Sequence, residues 1–168
     1  MKCLKLFVAV LILASGAFLA YIYSGVADVA ATTPEGFVTR WVLGTLRERS
    51  IATRISGIQV PPLTDPKMIE NGFMHYEEDC AGCHLAPGIE TSDLRAGLNP
   101  RPPALARTVP YSTPAELFWI TKNGIKMTAM PAWSQTHDDA TIWAIVAFLE
   151  KLPSMTPAEY QAIKQEIK

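Results

Sequence analysis

Cys80-Ala81-Gly82-Cys83-His84 is the stretch on which the reading of this chain turns. Two thiols separated by two residues and followed at once by an imidazole place three donor groups within little more than one helical turn. Three chemistries use such a set. Each thiol can add to a vinyl group of one porphyrin, which leaves the next residue's ring aimed at the iron from the same side. A redox-active thiol pair has the same spacing but follows a strand and opens a helix, whereas here the motif closes a predicted helix from Pro66 to Asp79. A structural zinc site takes about four ligands. Cys3 lies ahead of an apolar run, so His75 and His137 alone remain to complete one, neither at zinc-finger spacing. In the porphyrin reading Cys80 and Cys83 are thioether donors and His84 is the proximal ligand, while small Ala81 and Gly82 let the backbone pass close to the ring.

Composition sets the frame around this motif. The 168 residues allow one domain plus an appendage. With 49% hydrophobic residues and a net charge of -1, neither disorder nor a basic field for nucleic acid is indicated. Three cysteines, one of them remote, make no disulfide framework. Charge is uneven: Met1 to Val60 carries +3 and the remainder -4, a basic leader ahead of a mildly acidic domain.

Leu6 to Ala27 contains no charged residue and as a helix would be about 33 Å long, close to the ~30 Å hydrocarbon core of a bilayer. That is longer than the apolar centre of a secretory signal, although Val29-Ala30-Ala31 would serve as a cleavage site. The expectation is an uncleaved anchor over residues 1–31, with cleavage to a soluble periplasmic form as the alternative. Lys2 and Lys5 precede the run and the next basic residue is Arg40, so the short tail stays in the cytoplasm and the rest is exported. Tyr21 and Tyr23 suit the far interface.

Residues 32–62 read as an amphipathic basic connector. A helix over Phe37 to Ile55 mixes Trp41, Leu43, Leu46 and Ile51 with Arg40, Arg47, Arg49 and Arg54, and Gly44 weakens it. It either lies on an anionic membrane or a membrane partner, or packs on the domain. Val60-Pro61-Pro62 stops it, and Thr64-Asp65-Pro66 starts a new helix.

The motif at Cys80–His84, followed after about 45 residues by Lys126-Met127-Thr128-Ala129-Met130-Pro131-Ala132-Trp133, resembles the class I cytochrome c family over roughly Leu63 to Pro153. The resemblance implies an all-α domain around one covalent haem c whose iron is held by His84 and Met130. Met130 occupies the methionine-before-proline place of the family, and Met127 is its rival. A thioether favours reduced iron and raises the potential. The resemblance further gives Gly72 and Tyr76 the face that crosses the last helix, where Trp143 and Ala147 meet it. It makes Pro87 the proline that steadies the proximal histidine. Asn99 to Leu105 becomes the segment closing one haem edge, with Arg101 either a propionate partner or an exposed loop arginine. His75 and His137 read as surface or helix-end residues.

Helix signals fill in the rest. Thr113-Pro114-Ala115-Glu116 is a capping box opening a helix that ends at Asn123-Gly124. Thr136 with Asp139 caps a second, running to Pro153 and rich in apolar residues. Thr156-Pro157-Ala158-Glu159 repeats the box ahead of a polar C-terminal helix over 154–168. The fold class is therefore all-α: an N-terminal transmembrane helix, a connector, and a small cytochrome domain over 63–153. The implied function is one-electron relay on the periplasmic face of a bacterial inner membrane. The chain is no enzyme by itself, acting alone or as a subunit of a redox complex, with a dehydrogenase, a quinol-oxidising complex or a terminal oxidase as partner. A haem sensor or small-molecule binder with a displaceable sixth ligand is the alternative, and a peroxidase-like role would need distal acid/base groups that the sequence does not display.

Overall fold

The computed structural model describes residues 1–166, and every regular element in them is helical, as the sequence predicts. The chain divides into two compact units, Met1–Pro34 and Glu35–Lys168, so residues 32–62, read as one connector, are shared between them.

The first unit is dominated by α1, Lys2–Tyr23, whose 22 residues are long and apolar enough to cross a membrane. Beyond it Gly25 turns the chain at φ +71°, and Asp28 closes a small loop by accepting from the Ala30 amide and the Thr33 hydroxyl.

In the second unit α2, Phe37–Ala52, is mostly exposed; Ile51 is its one buried residue, and the helix packs on α7. It stops three residues short of Ile55 because Thr53 and Arg54 turn their side chains back to the Arg49 and Ser50 carbonyls. α3, Pro66–His75, begins as its residues dictate, with the Asp65 carboxylate accepting from the Lys67 amide and Pro66 in the first turn. It then widens into a π-helical turn at Tyr76–Cys80 and continues as α4, Ala81–His84. Short helices α5, Asp93–Ala96, and α6, Leu105–Thr108, lead to α7, Pro114–Asn123, which carries the full capping box at Thr113 and Glu116.

α8, Asp139–Lys151, is the centre of the domain, with seven buried residues from Ile142 to Leu149. Its cap differs from the expected one. Asp138 rather than Thr136 takes the Thr141 amide, while the Thr136 hydroxyl is drawn to His137 and the Trp133 carbonyl. The crossing with α3 also uses other residues. A Cβ on Gly72 would lie 1.9 Å from the Ala144 carbonyl oxygen and 2.9 Å from Cβ of Phe148, so the helices touch backbone to backbone there. Ala144 and Phe148 meet α3, and Trp143, one position round the helix, instead stacks on Phe118 of α7 with ring centroids 4.1 Å apart.

The last helix, α9, Pro157–Glu166, starts at the Thr156–Glu159 capping box. The chain's final two residues, part of the helix expected over 154–168, lie outside the described residues. The helix is less polar in its role than in its composition. Tyr160 is fully buried beside Phe73 and donates its hydroxyl to Glu77, whose other oxygen pairs with Lys164. One aromatic ring and one ion pair thus dock the tail on the segment that leads into Cys80.

Candidate haem-binding site

The π turn and α4 bring the motif residues to one place. Cys80 is buried in the core, Cys83 and His84 are partly exposed, and both thiols are free. Burial, followed by the nearby Asp79 and Cys83, pushes the free Cys80 thiol up to about 12. A redox-active pair needs the opposite, a thiol with its pKa brought down. The position after a helix had spoken against that chemistry, and the buried thiol speaks against it again.

His84 is oriented by the loop that follows. Its Nδ1 lies 2.8 Å from the carbonyl oxygen of Pro103. A carbonyl only accepts, so Nδ1 carries the proton and Nε2 keeps a free lone pair for a metal. The proline that steadies the ring is therefore Pro103, not Pro87. Pro87 is buried in the turn after α4, beside Gly88, whose absent Cβ would press on Pro157. Burial lowers the His84 pKa, the Pro103 carbonyl opposes this, and the Arg95 charge adds to it. The ring is thus held neutral, the form in which imidazole binds iron.

Two side chains that sequence reasoning passed over hold this loop. The Ser92 hydroxyl donates to the Gly82 carbonyl at 2.6 Å and caps α5. Arg95 donates Nε to the Pro102 carbonyl at 3.0 Å, one residue before the carbonyl that receives His84. Arg101, read as a propionate partner or an exposed loop arginine, is exposed, and Arg95 is the arginine whose charge His84 feels. From below, Tyr76 donates to the carbonyl of Leu85, which leaves α4 in the left-handed region at φ 67°. A non-glycine residue adopts that conformation only where its surroundings hold it.

The methionine loop is organised by short-range bonds. Thr128 donates its hydroxyl to the Ile125 carbonyl and accepts from the Met130 amide, and Ile125 donates its amide to the Met130 carbonyl. Met130 is half-buried, whereas Met127 is 78% exposed with φ 60°. Gly124, also left-handed, lies so close to Met130 and Pro131 that a Cβ would sit 2.6–2.7 Å from their backbone atoms. A groove of about 1110 Å³ runs between α2, Pro100, Trp119 and residues 124–128; Met127 lines it, and Cys80, Cys83, His84 and Met130 do not.

The donor set fits a haem attached through two sulfurs: thiols three residues apart, a neutral imidazole beside the second, and a proton placed on the nitrogen that faces away from the metal. Residues 67–149 match the family described as cytochrome c oxidase, cbb3-type, subunit III. Over these residues the chain is similar to a c-type cytochrome domain. Over 97 residues, 53% of this chain, the sequence is 33% identical to the cbb3-type cytochrome c oxidase subunit CcoP of Azospirillum brasilense. The matched part is 30% of that relative, so the chain spans under a third of its length. Within the cytochrome domain the match runs from the first turn of α3 to the end of α8, the two helices that cross at Gly72.

Proposed function

We propose that this chain is a membrane-anchored electron carrier built on one covalent haem c, and that it serves a terminal oxidase. The observation that carries the reading is the Nδ1 contact of His84 with Pro103, because it sets the one tautomer in which an imidazole beside two thiols can act as a permanent axial ligand. Bound there, haem c supplies a one-electron iron couple.

Each residue has a defined task. Cys80 and Cys83 hold the group by thioether bonds, and the proximal nitrogen comes from His84. Met130, half-buried in a loop held by Thr128, would supply the second ligand through its sulfur, and exposed Met127 would not. With His84 and Met130 both engaged in holding the haem, no protein-free position would remain for a substrate, and the domain would transfer electrons without catalysing a reaction of its own. Lys2 and Lys5, in the first turns of α1 and ahead of its uncharged run, favour a cytoplasmic tail and a haem domain on the periplasmic face of a bacterial inner membrane. An anchor of that kind confines the search for a partner to two dimensions and raises its effective concentration. The oxidase is suggested by the relative, a subunit of a cbb3-type cytochrome c oxidase; a dehydrogenase or quinol-oxidising complex would stand on the donor side.

The test is mass and optical analysis of the full chain purified from membranes, with Met130→Ala and Met127→Ala variants. The expected result is the added mass of one haem, a weak near-infrared sulfur-to-iron band that Met130→Ala alone abolishes, and a lower potential in that variant. Absence of added haem refutes the reading. Ready binding of carbon monoxide by the reduced wild-type protein would replace it with a haem sensor whose sixth ligand is displaceable.

A further inference from the structure

Asp79 stands one residue before the haem-binding cysteines, and its carboxylate faces two imidazoles that come from distant parts of the chain. His75 precedes it by one helical turn on α3, and His137 arrives 58 residues later from the segment between Met130 and α8. One Asp79 oxygen, Oδ2, lies 3.2 Å from His137 Nε2 and 3.7 Å from His75 Nδ1, and the three donor atoms all lie within 4.8 Å of one another. Among the described residues no lysine or arginine pairs with this carboxylate.

We propose that His75, Asp79 and His137 form a binding site for a single zinc ion, separate from the haem. Four details carry it. Bonds of about 2.0–2.1 Å in a tetrahedral site put neighbouring donors about 3.3 Å apart, which is the spacing of Asp79 to His137 and near that of Asp79 to His75. The second spacing, 3.7 Å, is too long for a hydrogen bond and is that of a loose ion pair one helical turn apart, which leaves room for an ion between His75 Nδ1 and the carboxylate. The outer contacts match metal ligation. His137 Nδ1 lies 2.8 Å from the Thr136 hydroxyl, which itself points at the Trp133 carbonyl. The Asp79 carboxylate only accepts, so without an ion Nε2 carries the proton; the Thr136 hydroxyl, able to turn to the Trp133 carbonyl, can accept from a proton at Nδ1 when a cation takes Nε2. Finally, the rings are constrained: His137 packs edge-on to His75 at 5.0 Å and to Trp133 at 5.2 Å between centroids.

Chemistry selects the ion. Two imidazoles and one carboxylate suit zinc, whereas calcium and magnesium take oxygen ligands. Three protein donors leave a fourth position for water. The side chains are 29%, 19% and 11% exposed for His75, Asp79 and His137, so the site is sheltered yet open to an ion from solution. The ion would join the turn that ends in Cys80 to the segment that follows Met130, bracing two parts of the domain that the chain itself connects only over a long path.

The experiment is calorimetric titration of the haem-loaded, untagged full chain in detergent with zinc chloride after chelator treatment, alongside His75→Gln, Asp79→Asn and His137→Gln. The expected result is one zinc per chain, a raised thermal midpoint, and a loss of about tenfold or more in affinity in each variant. X-ray absorption at the zinc edge should show two imidazoles and no sulfur. An unchanged haem spectrum certifies folding, and partly exposed His75 keeps the test available if Asp79→Asn misfolds. Zinc binding equal in wild type and His75→Gln, sulfur ligation at the zinc, or no binding at micromolar concentration would each overturn the proposal.

Discussion

The ring nitrogen of His84 and the carbonyl of Pro103 meet across 19 residues of chain, at 2.8 Å. This contact and the burial around it decide how the domain should respond to acid. Burial lowers the His84 pKa, so the fold prefers the neutral ring, while the unfolded chain takes up a proton near pH 6.5. The stability His84 contributes is complete above that pH and is lost as the pH falls below it toward the lower folded value. In the haem-free chain carrying His75→Gln and His137→Gln, where no iron occupies Nε2, His84 is the one histidine left. Its denaturant midpoint should hold steady from pH 8 to 7 and fall from about pH 6.5 to 5; a midpoint that rises over the lower interval would contradict this account.

Gly72 and Gly44 should answer the same substitution with opposite signs. At Gly72 an added methyl meets the Ala144 carbonyl at 1.9 Å, backbone that cannot swing aside, and at Gly44 nothing lies within 4 Å. Gly72→Ala should cost about 3 kcal/mol or more by forcing α3 and α8 apart. Gly44→Ala should stabilise by about 0.5–1 kcal/mol through helix propensity alone. Urea denaturation of the two variants measures both.

Gly124→Ala probes the methionine loop without touching a ligand. The residue is left-handed, and its Cβ would meet the backbone of Met130 and Pro131. The expected outcome is a loss of about 1–3 kcal/mol, together with a weakened near-infrared band. A stability loss with that band unchanged would show that the loop adjusts without moving the sulfur.

Tyr160→Phe removes one hydroxyl from Glu77 and leaves the Lys164 pair in place. The ring still fills the core, so the cost should be about 1–2 kcal/mol. It should surface first as faster proteolysis near residues 154–157, where α9 detaches.

Signals that act over a few residues were legible in the sequence. Both capping boxes, the Asp65-Pro66 start and the length of α1 follow from local chemistry, and so does the Cys80–His84 motif. What escaped depends on closure in space. The partner of His84 is a backbone carbonyl, which no residue type announces, so the sequence points to the nearby Pro87 and not to Pro103. Thr136, Asp138 and Asp139 compete to cap α8, and the choice falls on Asp138 because the Thr136 hydroxyl is engaged by its neighbours. His75 and His137 read as separate surface residues until the fold brought them to one carboxylate. Arg95 carried no signal beyond its charge, since only the path of residues 99–103 brings it to the site.

Cys80 is 6% exposed, and α9 is tied down over the segment leading into it through Tyr160 and Glu77. No ligase could reach that sulfur once the polypeptide has closed. On the proposed function, the haem would therefore have to be attached while the chain is still open. A molecule that collapses first is a dead end for assembly, so the tightness that serves the finished carrier makes its biogenesis a race between modification and folding.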